Sequence, residues 1–255
     1  MSLKDNPIGV LDSGTGGVGT LKEIVRLLPC EDFIYYGDAG NAPYGTKSTD
    51  EVMNCVYRVL EQLTARNIKA LVIACNTATS VAAAKLREEL TIPVIGVEPA
   101  LKPASMARGD GKILVLATPV TLSLPKFGQL MGLYGEGAIP IPCPGLMELV
   151  EKKDATGCRV YLEKIFSQYD PNDLDAIVLG CTHYVFLRSM IRKMLPMRVV
   201  ITDGNEGTAR QLQRVLRAHG LERMEGKGSI EFMTSGTEEQ LSVMKEFFIN
   251  DHILC

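Results

Sequence analysis

Two cysteines of this chain stand in near-copies of one short segment. Ala70-Leu71-Val72-Ile73-Ala74-Cys75-Asn76-Thr77 and Ala176-Ile177-Val178-Leu179-Gly180-Cys181-Thr182-His183 are both apolar runs of strand length. Each run stops at a small residue, then a cysteine, then small or hydrogen-bonding groups where a helix would start. A thiol so placed lies at the carboxyl end of a parallel strand, where open α/β sheets bind ligands, and beside a helix N-terminus, whose dipole favours the thiolate. A thiolate is a competent base and a thiol a competent acid, with an ordinary pKa of about 8.5. Two such thiols, one from each half of the chain, point to a two-sided active site. Set against this, a cysteine in an apolar strand is commonly just a small buried hydrophobe.

The elements that would position these thiols follow from the hydrophobic pattern, which alternates strand-like runs with helix-period stretches and predicts an α/β protein with parallel strands. Strands are expected at Ile8 to Leu11, Phe33 to Tyr36, Leu71 to Ala74, Val94 to Val97, Ile113 to Leu116, Ala138 to Ile141, Ile177 to Leu179, Val199 to Ile201 and Ile230 to Met233. Helices are expected between them, at Val18 to Leu28, Thr49 to Arg66, Ala78 to Leu90, Thr121 to Leu133, Thr156 to Gln168, Phe186 to Met194, Glu206 to His219 and Glu238 to Phe248. The stretch Glu98 to Gly111, with Pro99, Pro103, Gly109 and Gly111, reads as a linker. A second strand-loop-helix series starts at Ile113, so the two cysteine segments become an approximate internal repeat. Two similar lobes are expected, each a mainly parallel sheet flanked by helices, with the ligand in the cleft between them.

Composition narrows the function. The 255 residues are enough to bury a full core without disulfides or metal, and the net charge of −3, with no long block of Lys or Arg, gives no footprint for nucleic acid. A small polar or anionic ligand fits better. No apolar run reaches the length of a membrane span, and no basic segment followed by an apolar core opens the chain, so a cytoplasmic protein is expected. Met1 to Asn6 reads as a frayed leader. The seven cysteines are odd in number, with no Cys-x-x-Cys pair and no histidine at zinc-finger spacing, which argues against a disulfide framework or structural zinc and for reduced thiols.

After the first strand, Asp12-Ser13-Gly14-Thr15-Gly16-Gly17-Val18-Gly19 matches the dinucleotide pattern GxGxxG through Gly14, Gly16 and Gly19, and Asp38 follows at about the distance of a ribose-binding acid. Asp12 stands directly ahead of the glycines, however, where a pyrophosphate would meet its charge. The same glycines also let backbone N–H groups approach a small carboxylate at a helix N-terminus. In the next loop, Gly37-Asp38-Ala39-Gly40-Asn41-Ala42-Pro43-Tyr44-Gly45 is either a surface turn with Tyr44 half buried or a cradle whose Gly45 amide meets a ligand carboxylate.

Taken together, these loops resemble the cofactor-independent glutamate racemases of the aspartate/glutamate racemase family. The resemblance runs in order through Gly9 to Gly17, Tyr35 to Asp38, Pro43 to Gly45, Ala74 to Ala78, Leu146 to Glu151 and Gly180 to His183. It implies an isomerase that interconverts L- and D-glutamate without cofactor or metal and supplies D-glutamate for peptidoglycan. By motif, the two catalytic acid/bases fall on Cys75 and Cys181. Substrate contacts fall on Asp12, Ser13, Tyr44, Gly45, Asn76, Thr77, Thr182 and His183, with Thr118 and Thr121 added from the second lobe. The resemblance also implies a first lobe of residues 1–97 with 205–255, a second of 98–204, and a homodimer. The chain departs from the family pattern at Leu124, where a serine is expected, at Phe127, where a tyrosine is expected, at Glu148, where a proline is common, and in a Val97-Glu98-Pro99 segment one residue short.

Inverting an amino acid at Cα requires removing a proton from one face and returning another to the opposite face. Cys75 and Cys181 would do so from opposite walls, one starting as thiolate and the other as thiol. His183 is the expected assistant to Cys181, Asp12 the candidate beside Cys75, and Glu151 a third candidate that would orient His183. Plainer roles exist: His183 as a capping or core histidine and Asp12 as a helix cap. The competing functions are an aspartate or other amino-acid racemase of the same family, a nicotinamide-dependent oxidoreductase using the first glycine loop, and a non-catalytic small-molecule-binding module.

Overall fold

A computed structural model describes residues 3–250. In chain order, β1 (Ile8–Asp12), α1 (Val18–Leu27), β2 (Phe33–Gly37), α2 (Thr49–Thr64), β3 (Ala70–Ile73), α3 (Asn76–Glu89) and β4 (Val94–Gly96) are followed by α4 (Leu101–Ala107), β5 (Lys112–Ala117), α5 (Pro119–Ser123), α6 (Pro125–Tyr134), β6 (Ala138–Pro142), α7 (Leu146–Glu151), α8 (Ala155–Phe166), β7 (Leu174–Leu179), α9 (Arg188–Met194) and β8 (Val200–Asp203), and then by α10 (Asn205–Ala218), β9 (Ile230–Thr234) and α11 (Glu238–Ile249). The residues up to Glu98 form one compact unit with Asn205–Ile249, and Pro99–Gly204 form a second.

In the first unit a five-stranded sheet runs β4-β3-β1-β2-β9, every pairing parallel. Parallel strands with helices on both faces must be apolar throughout, and β1 and β3 are buried at every position. The crossover helix α2 starts on a capping box: the Glu51 N–H donates to Ser48 Oγ at 3.3 Å, and the Ser48 N–H donates to Glu51 Oε2 at 2.8 Å. Its apolar face (Val52, Val56, Val59, Leu63) closes over Leu11, Leu71 and Ile73.

The second unit holds a four-stranded parallel sheet, β6-β5-β7-β8. Written from the other end, β8-β7-β5-β6 repeats the first sheet's β4-β3-β1-β2, with β9 as the added strand. The repeat extends to single hydrogen bonds. The Ala74 N–H donates to the Leu11 carbonyl and the Gly180 N–H to the Leu116 carbonyl, both at 2.7 Å, just after β3 and β7. The internal duplication suggested by the cysteine segments is therefore present in the topology, and every predicted strand has its ends within two residues of an observed one or lies inside a longer one.

Three local expectations are corrected, and one helix that the sequence did not predict is added. The proposed linker Glu98 to Gly111 contains α4, because Pro103 sits in that helix's first turn, where its missing N–H costs nothing, and Leu101 and Ala104 are fully buried. The helix expected at Thr121 to Leu133 is split into α5 and α6, because Pro125 forces Leu124 out of the helical region to φ −78°, ψ 144°. A six-residue helix, α7, forms after Gly145 adopts φ +81°. Finally, Leu3–Asp5 make a 3-10 turn whose Lys4 carbonyl accepts from Lys69 Nζ at 2.6 Å, so this part of the expected frayed leader is held; Met1 and Ser2 lie outside the described residues.

Candidate active site

In the first unit the candidate residues gather at the carboxyl ends of β1, β2 and β3. Asp12, the last residue of β1, is fully buried, and its Oδ2 accepts the Gly14 N–H at 2.9 Å. The turn needs Gly17: a Cβ there would meet Asp12 Cβ at 2.5 Å and Ala74 Cβ at 2.9 Å. Gly17 thus lies close against both Asp12 and Ala74, the residue that precedes Cys75. Ser13 is buried alongside.

Cys75 follows β3 as the N-cap of α3, its Sγ accepting from the Ala78 N–H at 3.4 Å. The 14-residue helix aims its free N–H groups and positive dipole end at the sulfur, a setting that favours negative charge there. Asn76 and Thr77 open the helix and are buried. Asn76 Oδ1 is buried with no hydrogen-bond partner among the described residues. A buried amide oxygen ordinarily has a donor, so this one suits a ligand N–H.

Tyr44 and Gly45 lie in a 3-10 turn after β2. Tyr44 is buried rather than half exposed, and its hydroxyl donates to Asp38 Oδ2 at 2.6 Å. Burial first, and then the Asp38 carboxylate, push the Tyr44 pKa well above its ordinary value, so the phenol stays protonated. Asp38 Oδ1 accepts from Asn41 Nδ2 at 2.9 Å. Both Asp38 oxygens thus serve their own loop, and the Gly14 amide serves Asp12. That geometry removes the acid and a backbone amide that a dinucleotide reading of the glycine loop would use.

In the second unit Cys181 follows β7 and is 9% exposed. The sequence implies a helix N-terminus here too, but Thr182–Leu187 form a 3-10 helix, and Cys181 makes no capping bond with its side chain. The thiol's charged neighbour is instead His183. Cys181 Sγ and His183 Nδ1 are 3.9 Å apart, and His183 Nε2 is 2.9 Å from Glu151 Oε1 on the last residue of α7. Burial alone would lower the His183 pKa. The hydrogen bonds and negative charge of Cys181 and Glu151 outweigh it and raise the value to about 10. The raised value favours the imidazolium form of His183, which stands between the Glu151 carboxylate and the Cys181 sulfur.

Thr182 is buried next to His183. Thr118 and Thr121 cluster at the carboxyl end of β5: Thr118 Oγ1 caps α5 by accepting the Thr121 N–H at 3.2 Å and donates to Thr121 Oγ1 at 2.9 Å. Tyr184 and Cys143 complete this side, with the Tyr184 hydroxyl donating to the Cys143 carbonyl at 3.0 Å. Burial, and then the charge of Cys181, push the Cys143 thiol up to about 12, so it stays neutral. The sequence reading did not single out Cys143 or Tyr184, which no motif marks. Among the described residues no cluster of three or more histidine, cysteine or acidic side chains could hold a metal ion, and no helix is long and apolar enough to cross a membrane.

Each unit thus presents a thiol at the end of the strand beside its first strand, accompanied by a buried acid or an acid-backed imidazolium. Comparison with known proteins gives a consistent picture. The family model described as Asp/Glu/Hydantoin racemase matches residues 8–223. A glutamate racemase of Clostridium acetobutylicum is 49% identical over 247 residues, covering 94% of this chain and 96% of the relative. Among solved structures, glutamate racemase isoform RacE1 from Bacillus anthracis is 34% identical with a TM-score of 0.86, covering 96% of this chain and 94% of that one. The Francisella tularensis glutamate racemase in complex with D-glutamate is 27% identical with a TM-score of 0.82, covering 97% and 95%. With the family model spanning most of its length, this chain belongs to the Asp/Glu/Hydantoin racemase family.

Proposed function

We propose that this protein interconverts L- and D-glutamate by proton transfer at Cα between two cysteines, without a cofactor. The observation that carries the reading is the equivalence of Cys75 and Cys181: each follows the strand paired with the first strand of its sheet, one residue beyond an amide bonded to that neighbour. A two-base racemisation uses such a matched pair, because the group that removes the proton in one direction returns it in the other. In the proposal Cys75 serves one side of Cα and Cys181 the other.

The two thiols are activated by different means. Cys75 has the α3 terminus, with buried Asp12 at the end of β1 as the candidate acid; Cys181 has the His183–Glu151 pair. In one direction a Cys181 thiolate takes the Cα proton and the Cys75 thiol donates its own to the opposite face; in the other direction the roles exchange. The developing negative charge spreads onto the substrate α-carboxylate, where hydrogen bonds from Ser13, Thr77 and Thr182 strengthen, while the Gly45 amide holds the carboxylate remote from the reacting carbon. One such donor is worth on the order of 3 kcal/mol in the barrier. Asn76 Oδ1 would accept from the substrate ammonium, and Thr118 and Thr121 would complete the second side.

The D-glutamate bound in the Francisella relative supports glutamate as the ligand, as does the name of the Clostridium relative. The proposal extends to a cytoplasmic homodimer serving cell-wall synthesis; the six free cysteines among the described residues fit a reducing compartment. Circular dichroism of L-glutamate solutions with purified enzyme and no added cofactor tests the activity, aspartate tests the nearest alternative, and sedimentation tests the dimer. Loss of optical rotation from aspartate but not from glutamate would reassign the substrate.

A further inference from the structure

Asp38 takes no part in the proton transfer, yet its carboxylate is 2% exposed and holds together the loop that follows β2. Its Oδ2 receives the Tyr44 hydroxyl at 2.6 Å and its Oδ1 the Asn41 amide at 2.9 Å. Its own N–H donates to the Asp12 carbonyl at 2.9 Å. Asn41 Oδ1 in turn accepts from Arg58 of α2 at 3.5 Å. Tyr44 is 1% exposed and belongs to the same apolar cluster as Cys75, Val52 and Cys55. The turn Tyr44–Thr46 packs on α3, the helix that Cys75 caps.

We propose that Asp38 is a positioning residue: through the Tyr44 hydroxyl it fixes the Tyr44–Gly45 turn beside Cys75, and so sets affinity for the substrate carboxylate rather than the rate of proton transfer. The inference rests on the racemase reading above. A hydroxyl bonded to a desolvated carboxylate is among the stronger neutral-donor contacts, and its loss leaves a buried hydroxyl without an acceptor. A three-residue turn released from that contact moves its backbone amides, and misplacement by about 1 Å is enough to weaken a carboxylate cradle.

The test compares Asp38→Ala, Asp38→Asn, Tyr44→Phe and the combined Asp38→Ala/Tyr44→Phe enzyme. KM and kcat are measured with D-glutamate, and the Kd for D-glutamate by calorimetry. Asp38→Ala is expected to raise KM and Kd about tenfold while kcat changes less than about threefold. Tyr44→Phe should resemble it, the double variant should be no worse than the poorer single variant within about twofold, and Asp38→Asn, which keeps an acceptor, should recover most of the affinity. Unchanged KM and Kd, a loss confined to kcat, or effects that multiply in the double variant would overturn the assignment. Should Asp38→Ala fail to fold, Asp38→Asn and Tyr44→Phe carry the same comparison. If the wild-type protein binds D-glutamate without racemising it, the racemase reading fails and the Kd values alone judge Asp38; if it does neither, both fail.

Discussion

His183 bridges two groups of opposite purpose: its Nε2 is 2.9 Å from Glu151 Oε1, and its Nδ1 faces Cys181 Sγ at 3.9 Å. Carboxylate, imidazole and sulfur form a line in which Glu151 favours the protonated ring that faces Cys181. In the first unit the Cys75 thiol caps the N-terminus of α3, so the two halves of a duplicated fold surround their cysteines with different electrostatics.

The first prediction concerns that line. The chain has three histidines, so each Cε1–H resonance can be followed by NMR through a pH titration. His183 should titrate near 10, far above the ordinary value of about 6.5, and Glu151→Gln or Cys181→Ala should move it down. Because the folded-state pKa is the higher one, protonation of His183 favours the folded protein. Its stabilisation is complete below about pH 6.5 and is lost as the pH rises through about 10. A His183 resonance that titrates below 7 in the wild-type protein would contradict the arrangement.

A second prediction concerns the turn ahead of Cys181. An added Cβ at Gly180 would meet Ala117 Cβ and the Leu116 carbonyl oxygen at 2.9 Å each, and backbone cannot yield as a side-chain tip can. Gly180→Ala should cost about 1–3 kcal/mol of stability and displace Cys181. Urea unfolding measures the first effect and kcat the second. Wild-type values for both would show that the turn has slack.

The third prediction lies at the amino-terminal edge of the first sheet. Lys69 Nζ is fully buried, donating to Glu31 Oε2 at 2.5 Å, the Lys4 carbonyl at 2.6 Å and the Leu221 carbonyl at 2.9 Å. Lys69→Met leaves the Glu31 carboxylate buried without its cation, a loss on the order of 3–5 kcal/mol. Thermal unfolding should show it, while kcat of the folded enzyme stays near wild type because Lys69 precedes β3 and Cys75 follows it. A melting temperature unchanged from wild type would mean that water or a rearranged Arg223 replaces the lysine.

The strands and the paired cysteines were legible because parallel buried strands leave continuous apolar runs, as Ala70-Leu71-Val72-Ile73 and Ala176-Ile177-Val178-Leu179 do. What escaped was local geometry set by tertiary contacts. Pro103 disguised α4 as a linker, although burial of Leu101 and Ala104 makes it a helix. The short helix carrying Glu151 depends on a left-handed Gly145, which pattern alone does not mark. The helix expected after Cys181 is a 3-10 turn, so the electrostatic help there comes from His183 and not from a dipole. Asp38 stood at a spacing that suggested a ribose contact, but Tyr44, six residues on, takes its oxygen first.

The central claim is that two sulfurs exchange protons with one carbon, and it is tested most directly by racemisation in heavy water. The wild-type enzyme should invert L-glutamate with no added cofactor and place deuterium at Cα of the D product, while Cys75→Ala and Cys181→Ala should each lose at least about a thousandfold in kcat. Turnover near wild type in either variant, or inversion without deuterium at Cα, would contradict it.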